Sequence, residues 1–114
     1  MTFQKALSLS DLKVGDAASV QMSGEPICLV RLDETTVKAV HNTCSHQQYD
    51  LDEGWVEDNL IECALHGSSF DLDSGDPDSL PAVIPIPTYA VQIDGDDVLV
   101  DADHPTNDAP LPRH

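Results

Sequence analysis

The chain has 114 residues, with 21 acidic side chains against five basic ones and a formal net charge of −16. That length suits one domain with a modest core and is too short for a core plus a separate catalytic domain. The charge disfavours nucleic acid and anionic membrane surfaces, whose phosphates would repel it, and no run of about 18 apolar residues offers a membrane span.

In chain order, short β runs alternate with turn signals. Residues 2–7 read as a first strand. Ser8-Leu9-Ser10-Asp11-Leu12 with Gly15-Asp16 reads as a loop holding one helical turn capped by Ser10. Ala17–Met22 alternates weakly and Ser23-Gly24 turns it back. Residues 27–32 and 36–40 are rich in Ile, Val, Leu and Thr, and Asp33-Glu34-Thr35 separates them as a hairpin loop would. Residues 55–56 and 60–63 bracket a second hairpin over Glu57-Asp58-Asn59. Ser69–Asp71 leads into Asp73-Ser74-Gly75-Asp76-Pro77, a strong turn signal. Pro81, Pro85 and Pro87 fix φ and remove backbone donors, so 79–87 is predicted to be an ordered, largely unladdered loop with a strand edge. Residues 89–93 and 97–100 flank Asp94-Gly95-Asp96, the clearest hairpin of the chain. From 101 onward Pro105, Pro110 and Pro112 and a low apolar content predict a frayed, extended tail. No segment of ten residues carries a 3.6-residue period, so the fold class is all-β.

Four residues carry the chemistry. Cys44 and His46 form Cys-x-His, Cys63 and His66 form Cys-x-x-His, and sixteen residues lie between His46 and Cys63. A lone Cys or His is usually a buried thiol or a satisfied imidazole. Two mixed pairs, each closing a turn after a β run, are not. Two thiolates and two imidazoles fit either one four-coordinate zinc or a two-iron cluster with split ligation. Zinc modules usually pair like ligands, two cysteines on a knuckle and two histidines on a helix. Here each loop holds one of each and no helix is predicted, which favours the cluster. Gly67 after His66 allows close backbone approach, which bridging sulfides need for N–H donors. Aromatics are few (Phe3, Tyr49, Trp55, Phe70 and Tyr89), so a metal centre is expected to help tie the fold together.

The pattern, together with His66-Gly67-x-x-Phe70-Asp71 and the later proline-rich loop, resembles the Rieske ferredoxins. These are small soluble carriers of bacterial multicomponent ring-hydroxylating dioxygenase systems. The resemblance runs over about residues 3–100. It implies a Rieske fold of three stacked antiparallel sheets in a single domain over residues 1–102. A small cluster-binding subdomain would span about 41–70, and an extended tail 103–114. It implies one Rieske-type [2Fe–2S] cluster per chain, with Cys44 and Cys63 on an inner iron that stays ferric and His46 and His66 on an outer iron that takes the electron. The free ring N–H groups of those histidines would lie near solvent and form the route for electrons to a partner. Gln47, Gly67 and Ser68 would surround the cluster.

The same resemblance narrows the subclass. High-potential respiratory Rieske proteins carry a disulfide between the two loops, and its cysteines would fall at Tyr49 and Leu65, where this chain has none. They also use a tyrosine hydroxyl where this chain has Phe70. Both differences predict a potential in the lower part of the Rieske span of roughly −150 to +300 mV. Ser68 acts the other way, as a hydroxyl donor to a bridging sulfide. Ala64 and Gln47 stand where the family usually has Pro and Leu or Arg, without removing a ligand.

The expected partners are an NAD(P)H-dependent flavoprotein ferredoxin reductase and a terminal oxygenase. No small-molecule substrate pocket, nucleic acid or membrane is expected, and the chain is expected to act as a monomer. It would be an electron-transfer component rather than an enzyme. Rival readings are a Rieske subunit in nitrite reduction or iron–sulfur assembly, and a zinc-binding interaction module. Three cysteines, of which Cys28 is left over in an apolar strand, do not make a disulfide scaffold; with no secretory signal at Met1-Thr2-Phe3-Gln4-Lys5, a reducing cytoplasm is expected. Cys28 is expected to be a buried hydrophobe, and His41 a surface histidine. His104 and His114 fall in the tail with no specific role. The acidic runs Asp50-Leu51-Asp52-Glu53 and Asp71-Leu72-Asp73 flank the loops as solvated faces suited to docking on a basic partner.

Overall fold

The computed structural model describes residues 3–43, 50–57, 59–63, 69–77, 85–107 and 109. Among these residues nine strands follow in order: β1 (Gln4–Ser8), β2 (Ala17–Met22), β3 (Glu25–Arg31), β4 (Val37–His41), β5 (Trp55–Glu57), β6 (Leu60–Glu62), β7 (Ser69–Asp71), β8 (Thr88–Asp94) and β9 (Asp97–Asp101). Single 3-10 turns occupy Leu9–Asp11 and Leu51–Glu53, and no α-helix occurs among the described residues. The all-β reading holds.

All neighbouring strands are antiparallel. β5-β6-β7 form one sheet, and the others run β1-β9-β8-β4-β3-β2. The join between β4 and β8 is a short ladder, Ala39↔Tyr89 and Val40↔Thr88. Two of the three expected sheets, β1-β9-β8 and β2-β3-β4, therefore meet along one shared edge.

β3 explains how the layers stack. Ile27, Cys28, Leu29 and Val30 are all fully buried, although a strand turns alternate side chains to opposite faces. Cys28 and Val30 join Val40, Leu51, Ile61, Cys63, Phe70, Leu72 and Ile86 in one apolar cluster. Ile27 and Leu29 join Val37, Ala39, Tyr89, Val98 and Val100 in another. The central sheet is thus covered on one face by β5-β6-β7 and on the other by β1, β8 and β9. A strand covered on both faces reads as a continuous apolar run rather than an alternating one.

The hairpins follow turn chemistry. Asp94↔Asp97 leaves a two-residue loop, Gly95-Asp96, with Gly95 at φ 63°, the sign a type II′ turn demands of its first central residue. Met22↔Glu25 leaves Ser23-Gly24, with Ser23 itself in the left-handed region at φ 52°.

Three expectations change. The helical turn at Leu9–Asp11 begins from Ser8, and Ser10 instead binds Asp96 through its backbone N–H and its hydroxyl, each at 3.0 Å. β3 starts two residues earlier than predicted and takes in Pro26; Pro26 has no N–H to give, and its carbonyl accepts from Asn42 N–H at 2.9 Å. The tail is not frayed at 106–107. Thr106 N–H donates to the Thr88 carbonyl at 2.7 Å, and the Asn107 side chain binds three backbone groups of other segments. Composition pointed to a loose end, but those long-range hydrogen bonds hold it down.

Candidate metal centre

The first loop rises from the end of β4. His41 N–H donates to the Pro87 carbonyl and Asn42 N–H to the Pro26 carbonyl, both at 2.9 Å. Past that point Thr43 forms an antiparallel bridge with Asp50. Asn42 and Asp52 clamp the stem reciprocally: Asn42 Nδ2 donates to Asp52 Oδ1 and Asp52 N–H to Asn42 Oδ1, both at 2.9 Å. Leu51 N–H donates to the Asn42 carbonyl at 2.6 Å. Every polar group of Asn42 named here is satisfied, as a 2 % exposed amide requires.

The second loop rises from the β6–β7 hairpin. Ile61 pairs with Phe70 and Glu62 with Ser69, so Glu62 and Ser69 stand side by side at the end of the ladder. Cys63 is 1 % exposed. It belongs to the same apolar cluster as Leu51, at the foot of the first loop, and Phe70. One patch of core therefore carries the stems of both loops.

Of the residues singled out in the sequence, Cys63 is described. Cys44, His46 and His66 lie outside the described residues, as do Gln47, Gly67, Ser68, Tyr49 and Leu65. Among the described residues no group of three or more His, Cys, Asp or Glu side chains gathers to hold a metal ion. The donor set nevertheless fits a split two-iron cluster. A buried thiol at Cys63 suits an iron kept from solvent, and the loop stems on either side are clamped.

His41 is not a surface residue. It is 1 % exposed, with Nε2 2.9 Å from Glu25 Oε1 and Nδ1 accepting from Thr43 N–H at 3.2 Å. Sequence reasoning missed this pair because Glu25 meets His41 only through the β3–β4 register, which sets Ile27 opposite His41. The hairpin loop at 33–35 was the signal that fixes that register.

The acidic flanks are largely engaged. Asp52 clamps Asn42. Asp71 Oδ1 accepts from the N–H groups of Asp73 and Ser74 at 2.8 and 3.0 Å, which builds the turn after β7. Asp73 pairs with Lys38 at 2.7 Å and accepts from Asn59. The Lys38 contact, aided by Asn59, holds the Asp73 carboxyl below the usual range. Asp50 is exposed. Cys28 is the buried hydrophobe expected: burial pushes its thiol far up, and the charge of Asp52 adds to that. A shallow cleft of about 230 Å³, walled by Lys38, Asp73, Thr88 and Tyr89, is smaller than the cavities that usually enclose a small-molecule ligand.

The Rieske [2Fe–2S] domain model matches residues 2–90. The chain belongs to this family. With Rieske membership comes the prosthetic group, a Rieske-type [2Fe–2S] cluster. The ferredoxin component of biphenyl 2,3-dioxygenase from Rhodococcus jostii (strain RHA1) is 38% identical over 101 residues, 89% of this chain and 94% of that one. Among solved structures, the ferredoxin of carbazole 1,9a-dioxygenase from Nocardioides aromaticivorans IC177 superposes with a TM-score of 0.83 at 35% identity, covering 88% of this chain and 97% of that one. A chain from the complex of reduced oxygenase and oxidized ferredoxin in carbazole 1,9a-dioxygenase gives 0.79 at 26% identity, covering 98% and 96%. The Rieske fold of antiparallel sheets expected from the sequence is the one this chain shares with these neighbours. No helix among the described residues is long and apolar enough to cross a membrane.

Proposed function

We propose that this Rieske protein is a one-electron carrier. It takes electrons from an NAD(P)H-dependent flavoprotein reductase and delivers them to a terminal ring-hydroxylating oxygenase. One observation carries the reading: the likeness to a dioxygenase ferredoxin component runs over 89% of this chain and 94% of the relative.

Cys44 and Cys63 would hold one iron as thiolates, and His46 and His66 would hold the other as neutral imidazoles. The cluster would supply a one-electron couple when bound. Neutral imidazoles would place less negative charge on their iron than thiolates do. Gly67 lets the backbone come close, Ser68 offers a hydroxyl donor, and Gln47 follows the first histidine; together they set the polarity around the site. Thr43 pairs with Asp50 and Glu62 with Ser69, at the residues that flank the two ligand-bearing segments. A cytoplasmic setting suits a chain whose thiols must stay reduced for ligation.

The test begins with the purified protein. Two irons, two labile sulfides and a visible spectrum that bleaches on one-electron reduction are expected, and Cys44→Ser or Cys63→Ser should abolish all three. Colourless protein with one bound zinc overturns the reading. Reconstitution with candidate reductase and oxygenase components, following substrate oxidation, then separates an oxygenase carrier from a subunit of another redox system.

A further inference from the structure

The cluster reading leaves one ionisable pair unused, the half-buried Glu25 and the buried His41. We propose that this pair positions the first ligand loop. His41 acts as the buried support under Thr43, and Glu25 locks His41 in the tautomer that can serve. The inference rests on the reading that Cys44 and His46 are ligands.

The geometry argues it in three steps. Thr43 is the last residue before Cys44, and its N–H donates to His41 Nδ1 at 3.2 Å. An imidazole nitrogen that accepts a hydrogen bond carries no proton, so the ring proton sits on Nε2. That proton meets Glu25 Oε1 at 2.9 Å. The carboxylate therefore enforces the tautomer that leaves Nδ1 open to the loop, as a carboxylate behind a histidine does in many sites.

Burial makes the arrangement demanding. His41 is 1 % exposed. Water does not replace a lost partner easily at such a site, so an orphaned buried group there is costly. The backbone on either side is already committed. His41 N–H is bound to the Pro87 carbonyl and Asn42 N–H to the Pro26 carbonyl. A residue at 41 with no acceptor at the Nδ1 position leaves Thr43 N–H to seek another partner, and the loop stem shifts with it. His41 is thus a positioning residue. It acts through Thr43.

Two substitutions at one site separate positioning from mere filling. His41→Asn places a carbonyl oxygen near the Nδ1 position and gives up Glu25. His41→Gln reaches toward Glu25 and gives up Thr43. The readouts are the midpoint potential, the electron paramagnetic resonance spectrum of the reduced protein, and the rate of bleaching by an iron chelator. His41→Gln should shift potential and spectrum and bleach about 10-fold faster, while His41→Asn stays close to the native protein. Equal values for the two variants, whether native-like or shifted, overturn the proposal.

Should His41→Gln fail to fold, Glu25→Leu and Glu25→Gln give the same contrast. Glu25→Gln keeps an acceptor for Nε2–H and should behave as the native protein, whereas Glu25→Leu should shift the spectrum. Identical spectra for both overturn the proposal. Iron and sulfide content of the native protein, measured first, reports on the cluster itself, so failure of that reading is distinct from failure of this one.

Discussion

Asn107 donates its side-chain amide to the Ser74 carbonyl at 2.8 Å, across 33 positions of sequence. The same amide donates to the Ile86 carbonyl at 2.9 Å, and its oxygen accepts from Thr88 N–H at 3.2 Å. One side chain thus ties the turn after β7 to the segment that enters β8. Gly75 makes this possible. A Cβ there would lie 2.1 Å from the Ile86 carbonyl oxygen and 2.8 Å from Asn107 Nδ2, and its φ is +75°.

Asn107→Ala should therefore lower stability by about 1–3 kcal/mol, because it leaves partly buried backbone groups without partners. Gly75→Ala should cost more, since it adds about 1–2 kcal/mol of left-handed strain to a backbone clash. Thermal or denaturant unfolding of the cluster-loaded protein checks both. Native-like midpoints would mean that residues 106–107 are as loose as their composition suggests.

Tyr89 gives a prediction in alkali. Burial, aided by the nearby negative charge of Glu25, pushes its phenol up to about 12 from an ordinary value near 10. Between those values the unfolded chain has lost a proton that the folded chain keeps. Stability is thus fully present below about pH 10 and falls as pH rises through about 12, by about 2 kcal/mol. The chain has two tyrosines, so a tyrosinate absorbance titration should show a late phase that Tyr89→Phe removes. That variant should also flatten the loss of stability over the same window.

The acidic flanks of the first loop divide into two roles. Asp52→Ala removes the acceptor of Asn42 Nδ2, leaving the Asp52 N–H bond to Asn42 Oδ1 in place, and should destabilise by about 1–3 kcal/mol. Asp50 is exposed, so Asp50→Asn should leave stability within about 0.5 kcal/mol of native. Its effect should appear in partner turnover instead, as a roughly two-fold fall at low ionic strength that disappears in about 1 M salt. Turnover that ignores both charge and salt would remove the docking role.

The reduction potential tests the subclass. Phe70 is fully buried and carries no hydroxyl to donate. With no cysteine at Tyr49 or Leu65 either, the midpoint is expected in the lower part of a span of roughly −150 to +300 mV. Ser68→Ala should lower it further. Protein-film voltammetry decides, and a native midpoint well above zero contradicts the assignment.

The hairpins were legible because their signals are local. Ser23-Gly24 and Gly95-Asp96 carry the backbone signs their turns need, and Ala17–Met22 and Ser69–Asp71 have the predicted bounds. The four proposed ligands were legible for the same reason, as short spacings within single loops. What escaped was long-range. Nothing near His41 announces Glu25, and nothing near Pro105 announces the anchoring of Thr106 and Asn107 on Thr88 and Ser74. Ser10 looked like a cap because its neighbours are helical, yet its partner is Asp96 in the far hairpin. Partners supplied from across the fold leave no trace in local pattern.

The short ladder between β4 and β8 has a consequence for how such a molecule can be remade. Because Val40 faces Thr88 directly, the chain departs at 42 and returns at 87 through neighbouring points of one sheet. The intervening stretch, with both loops, is a cassette whose two ends are already joined. Its loops can be lengthened, trimmed or exchanged without altering the register of the strands that host it. A replacement must present an apolar underside to Cys28, Val30 and Val40, where Leu51, Ile61 and Phe70 now sit, and keep the carbonyls at Ser74 and Ile86 that Asn107 binds.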